Sequence, residues 1–117
     1  MKICDLNYLK SLTPSNPILT LELIQLLMKQ APVSFDAMKK FHAAGNWKQL
    51  QYHAHKLASL FDTIGIRIEY KEAVSEIEKY TKRQEHLNLI PDLLLKIEIG
   101  LNLACKELEV ELNKNSA

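Results

Sequence analysis

The side chain with the clearest chemical potential is His55, which lies in the stretch 46–65. At about 100° per residue, its ring points roughly 140° away from Leu50. Apolar residues of the same stretch recur at spacings of three and four, the pattern of a buried helix face: Trp47, Leu50, Ala54, Leu57, Phe61 and Ile64. A neutral imidazole keeps one free nitrogen lone pair. His55 is therefore a candidate nucleophile, presented to solvent on a rigid helix.

The other histidines do not suggest a metal site. His53 lies at the edge of the apolar face, so we expect a packed or hydrogen-bonded structural residue. Its ring and that of His55 diverge by about 200° on a helix, and the two cannot share a metal ion. His42 and His86 have no carboxylate or thiol partner at ligand spacing. The sequence predicts no metal centre.

The rest of the chain predicts helices that position this stretch. Three glycines and four prolines leave little material for turns, and no segment alternates apolar with polar residues long enough for a sheet. Asn16 and Pro17 mark a helix start, Pro32 marks a stop, and Gly45 and Gly65 mark helix ends. The predicted helices span 5–12, 17–31, 32–44, 46–63, 66–82 and 89–113.

Short connections between long amphipathic helices favour antiparallel neighbours. The predicted fold is all-α, an up-and-down antiparallel four-helix bundle with one or two short additional helices at its N-terminal end. At 117 residues, we expect one domain, 1–117. Gly100 lies inside the last helix, where glycine costs about 1 kcal/mol relative to alanine.

Composition excludes several classes of function. With 15 Lys+Arg against 14 Asp+Glu, the net charge of +1 gives no electrostatic reason to expect nucleic acid or a membrane surface as partner. No apolar run approaches the length of a transmembrane helix, and the N-terminus does not resemble a signal peptide. Cys4 and Cys105 are read as free thiols in a reducing compartment. We expect a cytoplasmic protein.

The stretch NWKQLQYHAHKLASLFDTIG resembles the signature of the histidine phosphotransfer (HPt) domains of bacterial two-component phosphorelays. In that family a D/N-W-x-x-L segment precedes A-H-x-L-K-G, and a glycine follows ten residues after the histidine. His55 and Gly65 have that spacing. The segments LNYLKSL and KQAP and the long closing helix also have counterparts in the family, so the resemblance extends over nearly the whole chain.

The resemblance implies that His55 accepts a phosphoryl group from the aspartyl phosphate of a receiver domain and relays it to another receiver aspartate. The partner supplies Mg²⁺, so no cofactor is expected in this chain. Without a glycine-rich phosphate loop, autokinase activity is not expected. The implied partners are response-regulator receiver domains and a hybrid sensor histidine kinase, and the implied state is a monomer. The supporting or docking surface comprises Lys48, Gln51, Tyr52, Lys56, Ala58, Ser59 and Asp62.

The sequence departs from the family immediately after the histidine. The family has lysine and glycine where this chain has Ala58 and Ser59. Lys48 and Lys56 are the nearest cations on the helix, and the Ser59 hydroxyl is a possible phosphate donor. Asp62, two turns after His55, is interpreted either as an orienter of the ring or as a solubilising surface residue.

The departure leaves two alternatives. One is a non-catalytic HPt-like adaptor that docks signalling proteins without phosphotransfer. The other is an unrelated helical bundle in which the histidine is incidental. Glutamates 69, 72, 76 and 78 and Lys79 are interpreted as a solvated helical face, part of which could contribute to docking near His55.

Overall fold

The computed structural model describes residues 2–114. These residues form five α-helices and one short 3₁₀-helix, Leu87–Leu89. The α-helices are α1 (Asn7–Ser11), α2 (Pro17–Ala43), α3 (Trp47–Ile64), α4 (Ile68–Arg83) and α5 (Ile90–Lys114). The four long helices make the bundle, and α1 is the short addition at its N-terminal end.

Local chemistry at the helix ends follows the expected capping rules. The side chain of Asn16 accepts a hydrogen bond from the Leu19 amide at 3.1 Å, just before Pro17. Asn46 does the same for the Gln49 amide at 3.2 Å and so begins α3. Gly65 ends α3 in the left-handed region, with a φ of 57°. A side chain is strained in that conformation.

The bundle places α3 diagonally opposite α5. Helix α3 packs against α2 and α4, and α5 packs against the same two helices. The predicted apolar face of α3 is buried at five of its six positions, and Trp47 is half-buried against the same core. Its side chains face the core residues of the other long helices, including Ile24, Ile77 and Ile97. His55 therefore stands on the outer side of the helix.

The predicted helix boundary at Pro32 is wrong, because α2 continues through that residue to Ala43. Proline removes one backbone donor and leaves the carbonyl four residues earlier without its helical partner. The buried face nevertheless continues on both sides of it, from Leu27 through Ala31 and Phe35 to Met38. Burial of this uninterrupted stripe outweighs the loss of one hydrogen bond.

Two other details differ from the sequence prediction. Spacing predicts that Leu19, Leu23, either Leu26 or Leu27, and Gln30 form the core face of α2. Leu27 is buried as predicted, but Leu19 and Leu26 are 39% and 47% exposed, and Ile24 is buried instead. Ile66, expected to begin the fourth helix, instead pairs with Cys4 in an isolated antiparallel bridge. The Asp5 amide donates to the Gly65 carbonyl at 2.9 Å beside that bridge. The N-terminal segment is thus held against the end of α3.

Within the same described range, 2–114, no helix combines the length and apolar content that a membrane crossing requires.

Candidate functional site

The imidazole of His55 is exposed but held by a partner on the neighbouring helix. Its side chain is 72% exposed, and Nδ1 lies 2.8 Å from Oε1 of Glu78 on α4. A carboxylate oxygen only accepts hydrogen bonds, so Nδ1 of a neutral ring must carry the proton in this pair. Nε2 then retains its lone pair. The contact selects both the tautomer and the orientation of the ring.

Glu78 is a candidate site residue that the sequence did not single out, because it was grouped with the solvated face of its helix. Its side chain is 29% exposed and lies between that face and the seam with α3. The available signal was its position four residues after Val74, which is fully buried. Residues four apart lie on nearly the same side of a helix, so Glu78 is at the edge of the apolar face, where it can reach an adjacent helix.

A second contact defines the register of the seam between α3 and α4. The ammonium of Lys71 pairs with Asp62. The step from Lys71 to Glu78 along α4 matches the step from Asp62 back to His55 along α3, seven residues in each case. The two helices are therefore antiparallel and in constant register here. Asp62 pairs across this seam, whereas Glu78 orients the ring.

The predicted surface residues on α3 include long side chains near the ring, such as Lys56 and Tyr52, and the small side chains of Ala58 and Ser59. The Lys56 ammonium lies 5.6 Å from the ring centroid of Tyr52, which is 50% exposed. Lys48 is exposed and Gln51 is half-buried. Ala58 packs partly against the core, and the Ser59 hydroxyl donates to the His55 carbonyl at 3.3 Å. Small side chains thus follow His55 and leave its C-terminal side open.

His53 occupies a different environment from His55, although it is two residues away. Its ring stacks on Phe41, with centroids 5.5 Å apart and an interplanar angle of 12°. Its Nδ1 is buried and has no hydrogen-bond partner. Burial lowers the pKa of His53 below its ordinary value, and the nearby charge of Lys56 lowers it further. The His53 ring is thus packed on Phe41, whereas that of His55 is exposed.

The chemistry that this arrangement supports is nucleophilic attack on an incoming group. An accessible Nε2 lone pair, fixed in direction by the Nδ1 contact, is what such an attack requires. Within residues 2–114, no three His, Cys, Asp or Glu side chains converge to hold a metal ion. The prediction that an external partner supplies any metal stays a prediction.

Comparison with known proteins identifies the fold. No protein-family model matches the chain, and no significantly similar sequence occurs among the curated proteins. A crystal structure of histidine-containing phosphotransfer protein B (HptB) from Pseudomonas aeruginosa PAO1 is similar to this structure, with a TM-score of 0.86. The alignment covers 96% of each chain at 18% sequence identity.

At that level of identity the likeness concerns the fold. This chain has the all-α bundle fold of a histidine-containing phosphotransfer protein. The resemblance to HPt domains stated from the sequence is confirmed at the level of the fold, and so is the predicted fold class.

Proposed function

We propose that this chain is a histidine-containing phosphotransfer module, in which His55 accepts a phosphoryl group from a receiver-domain aspartyl phosphate. The observation that carries the proposal is the exposed ring of His55 with its Nδ1 on Glu78. The shared fold with an HPt protein supports the same role. The partners are receiver domains, which also provide the Mg²⁺ that the reaction requires.

The reaction is a direct transfer between an oxygen and a nitrogen. The Nε2 lone pair of His55 forms a bond to phosphorus as the bond from phosphorus to the aspartyl oxygen breaks, and the receiver aspartate leaves as a carboxylate. The proton on Nδ1 stays in its hydrogen bond to Glu78, whose carboxylate balances the positive charge that develops on the ring. The reverse sequence delivers the phosphoryl group to a second receiver.

The surroundings of the ring suit the approach of a second protein. A receiver must bring its phosphorylated aspartate in line with Nε2, which requires open space in front of the ring. Ala58 and Ser59 are small, and Ser75 of α4 is an exposed small residue facing the same stretch. This open area leaves the phosphoryl group accessible from the side that follows His55.

The experiment is transfer from a phosphorylated receiver in the presence of Mg²⁺. Incubation should give an acid-labile, base-stable phosphoprotein, as expected for phosphohistidine. The variant His55→Gln should remain unlabelled while its helical circular dichroism stays that of the wild type. His86→Gln is the matched control, since it removes an exposed histidine elsewhere on the surface, and it should be labelled normally.

Two results would contradict the proposal. Receiver binding without labelling would indicate an adaptor that docks signalling proteins without transfer, the function favoured by the absence of a lysine at position 58. Neither binding nor labelling, across a panel of receivers, would leave His55 as an incidental surface residue.

A further inference from the structure

Phosphorylation of His55 creates an electrostatic problem that α3 does not solve. The phosphoryl group would place a second anion next to the carboxylate of Glu78, which contacts the opposite nitrogen of the same ring at 2.8 Å. The ring, phosphorylated on Nε2 and still protonated on Nδ1, carries one positive charge, which the Glu78 carboxylate already offsets, so the charge of the phosphoryl group disfavours this state unless a further cation balances it. Ala58 has no charge, and the Lys56 ammonium lies over Tyr52. Lys48 is exposed on α3 but lies about 10 Å along the helix axis from His55, so a closer cation would have to come from another element.

The register of the seam between α3 and α4 identifies a candidate. Lys71 faces Asp62 and Glu78 faces His55, so each step forward on α4 matches a step back on α3. One further turn along α4 brings Lys82 opposite Gln51, about 6 Å along the helix axis from the level of the His55 ring. An extended lysine side chain spans about that distance. Lys82 can therefore reach a group bound to Nε2.

The other cations of this helix are less well placed. Lys79 follows Glu78 by one residue and points about 100° away from the seam. Arg83 is 3.6 Å from Glu85, and helix periodicity turns it about 140° away from Glu78. Together with Ser75, Glu78 and Lys82 they line one shallow concavity on the surface of α4. Of Lys79, Lys82 and Arg83, Lys82 lies on the side of α4 that faces α3, as Glu78 does. Within residues 2–114, no carboxylate lies within ion-pair distance of Lys82.

We propose that Lys82 binds the phosphoryl group on Nε2 of phosphorylated His55 and balances its negative charge. The inference rests on the proposed function, because it concerns the phosphorylated form of the same histidine. Helix α4 then provides both partners of the reactive ring. Glu78 orients it through Nδ1, and one turn later Lys82 neutralises the group on Nε2 through a charge-assisted hydrogen bond.

The test compares Lys82→Ala with Lys79→Ala, which removes the same charge from the outward side of the same helix. Each variant is phosphorylated with phosphoramidate, whose P–N bond breaks with release of ammonia as phosphorus bonds to the ring nitrogen. Since this donor needs no receiver, the lifetime of phosphohistidine is measured directly. Subtraction of the His55→Gln signal isolates residue 55 from the other histidines.

We expect Lys82→Ala to shorten the lifetime or lower the labelling rate about tenfold, the effect of losing one charge-assisted contact. Lys79→Ala should change either by less than about twofold. Lys82→Arg should retain most of the wild-type behaviour, and Ala58→Lys should rescue Lys82→Ala. In ³¹P NMR titrations, the pKa of the phosphoryl group should rise in Lys82→Ala, because a nearby cation favours the dianion.

The outcomes distinguish failure of the role of Lys82 from failure of the proposed phosphotransfer function. If wild type is labelled at His55 but the two alanine variants behave alike and share the wild-type phosphoryl titration, Lys82 has no such role while the phosphotransfer proposal stands. If His55 is not labelled by phosphoramidate or by any receiver, both proposals are overturned together.

Discussion

The contact between His55 and Glu78 fixes the orientation of the imidazole ring. An exposed histidine rotates among several rotamers and exchanges its proton between two nitrogens. A carboxylate at 2.8 Å from Nδ1 removes much of that freedom and leaves Nε2 as the available nucleophile. The ring remains 72% exposed, so orientation is obtained without burial. This combination is what attack on a large, protein-bound phosphoryl donor requires.

At this scale we predict that Glu78→Ala lowers the rate of phosphoryl acceptance about tenfold or more, because the ring is no longer held in a productive orientation. Glu78→Gln should retain more of the rate than Glu78→Ala, since its amide oxygen still accepts a hydrogen bond from Nδ1–H although the negative charge is lost. Initial rates of labelling measure both. Glu76→Ala, an exposed carboxylate on the same helix, is the control, and equal rates in Glu78→Ala and wild type would rule out the orienting role.

His53 predicts how stability depends on pH. Burial lowers the pKa of His53 below its ordinary value of 6.5, so the unfolded chain binds a proton at pH values where the folded chain resists it. The free energy of unfolding therefore falls as the pH drops below about 6.5. His53→Phe removes the buried, unpartnered nitrogen and should keep the stack on Phe41.

We expect His53→Phe to lose less stability than wild type between pH 7 and pH 5, as measured by urea midpoints at the two pH values. His86→Gln removes an exposed imidazole and should keep the wild-type difference. If His53→Phe also keeps it, the ring at position 53 is not the source of the acid sensitivity.

At the scale of the helices, Gly100 shows how packing can reverse a propensity argument. Alanine would favour helix α5 by about 1 kcal/mol. A Cβ at this position, however, would lie 2.4 Å from the ring of Tyr70, at atoms close to the base of the side chain. The glycine allows α4 and α5 to approach with that ring between them. Position 100 must lack a side chain because the Tyr70 ring of α4 occupies that space.

We predict that Gly100→Ala destabilises the protein by about 1–3 kcal/mol, the usual cost of overpacking. The midpoint of urea denaturation measures it. In the background Tyr70→Ala, which removes the ring, the same substitution should become neutral or stabilising. A stabilised single variant would mean that α4 and α5 adjust without cost.

On the scale of the whole molecule, hydrogen bonds join the N-terminal segment to the last helix, α5. The carboxylate of Glu107 on α5 accepts hydrogen bonds from the backbone amides of Ile3 and Cys4, the latter at 3.1 Å. The Arg67 amide donates to the Ile3 carbonyl at 2.8 Å. The N-terminal segment thus lies between α5 and the start of α4, and its residue Cys4 is buried there.

Burial raises the pKa of the Cys4 thiol to about 12, and the charge of Glu107 contributes to the increase. At pH 8 only ~10⁻⁴ of such a thiol is ionised, so we predict very slow alkylation in the folded protein. Glu107→Ala should destabilise the fold by about 1–3 kcal/mol and accelerate alkylation of Cys4. Mass spectrometry of iodoacetamide-treated protein measures the rate.

Glu109→Ala is the matched control, because it removes an exposed carboxylate from the same helix. It should leave the reactivity of Cys4 at the wild-type level. An unchanged Cys4 in Glu107→Ala would show that the segment is held without that carboxylate.

Much of this architecture was predictable from local patterns. The apolar stripe of α3, the caps at Asn16 and Asn46 and the left-handed Gly65 each depend on a few neighbouring residues, so spacing and residue type were sufficient. The same locality placed His55 on the outer face. Pro32 was predicted wrongly, because its effect depends on how much apolar surface the continuing helix buries.

The sequence by itself determined an all-α bundle with an outward histidine, since periodicity of 3.6 residues sorts side chains into buried and exposed faces. Only the tertiary structure decided which groups surround that histidine. Glu78 is more than twenty residues from His55 along the chain, and their contact follows from the register of two antiparallel helices. That register depends on packing across the seam between α3 and α4, which no single helix encodes.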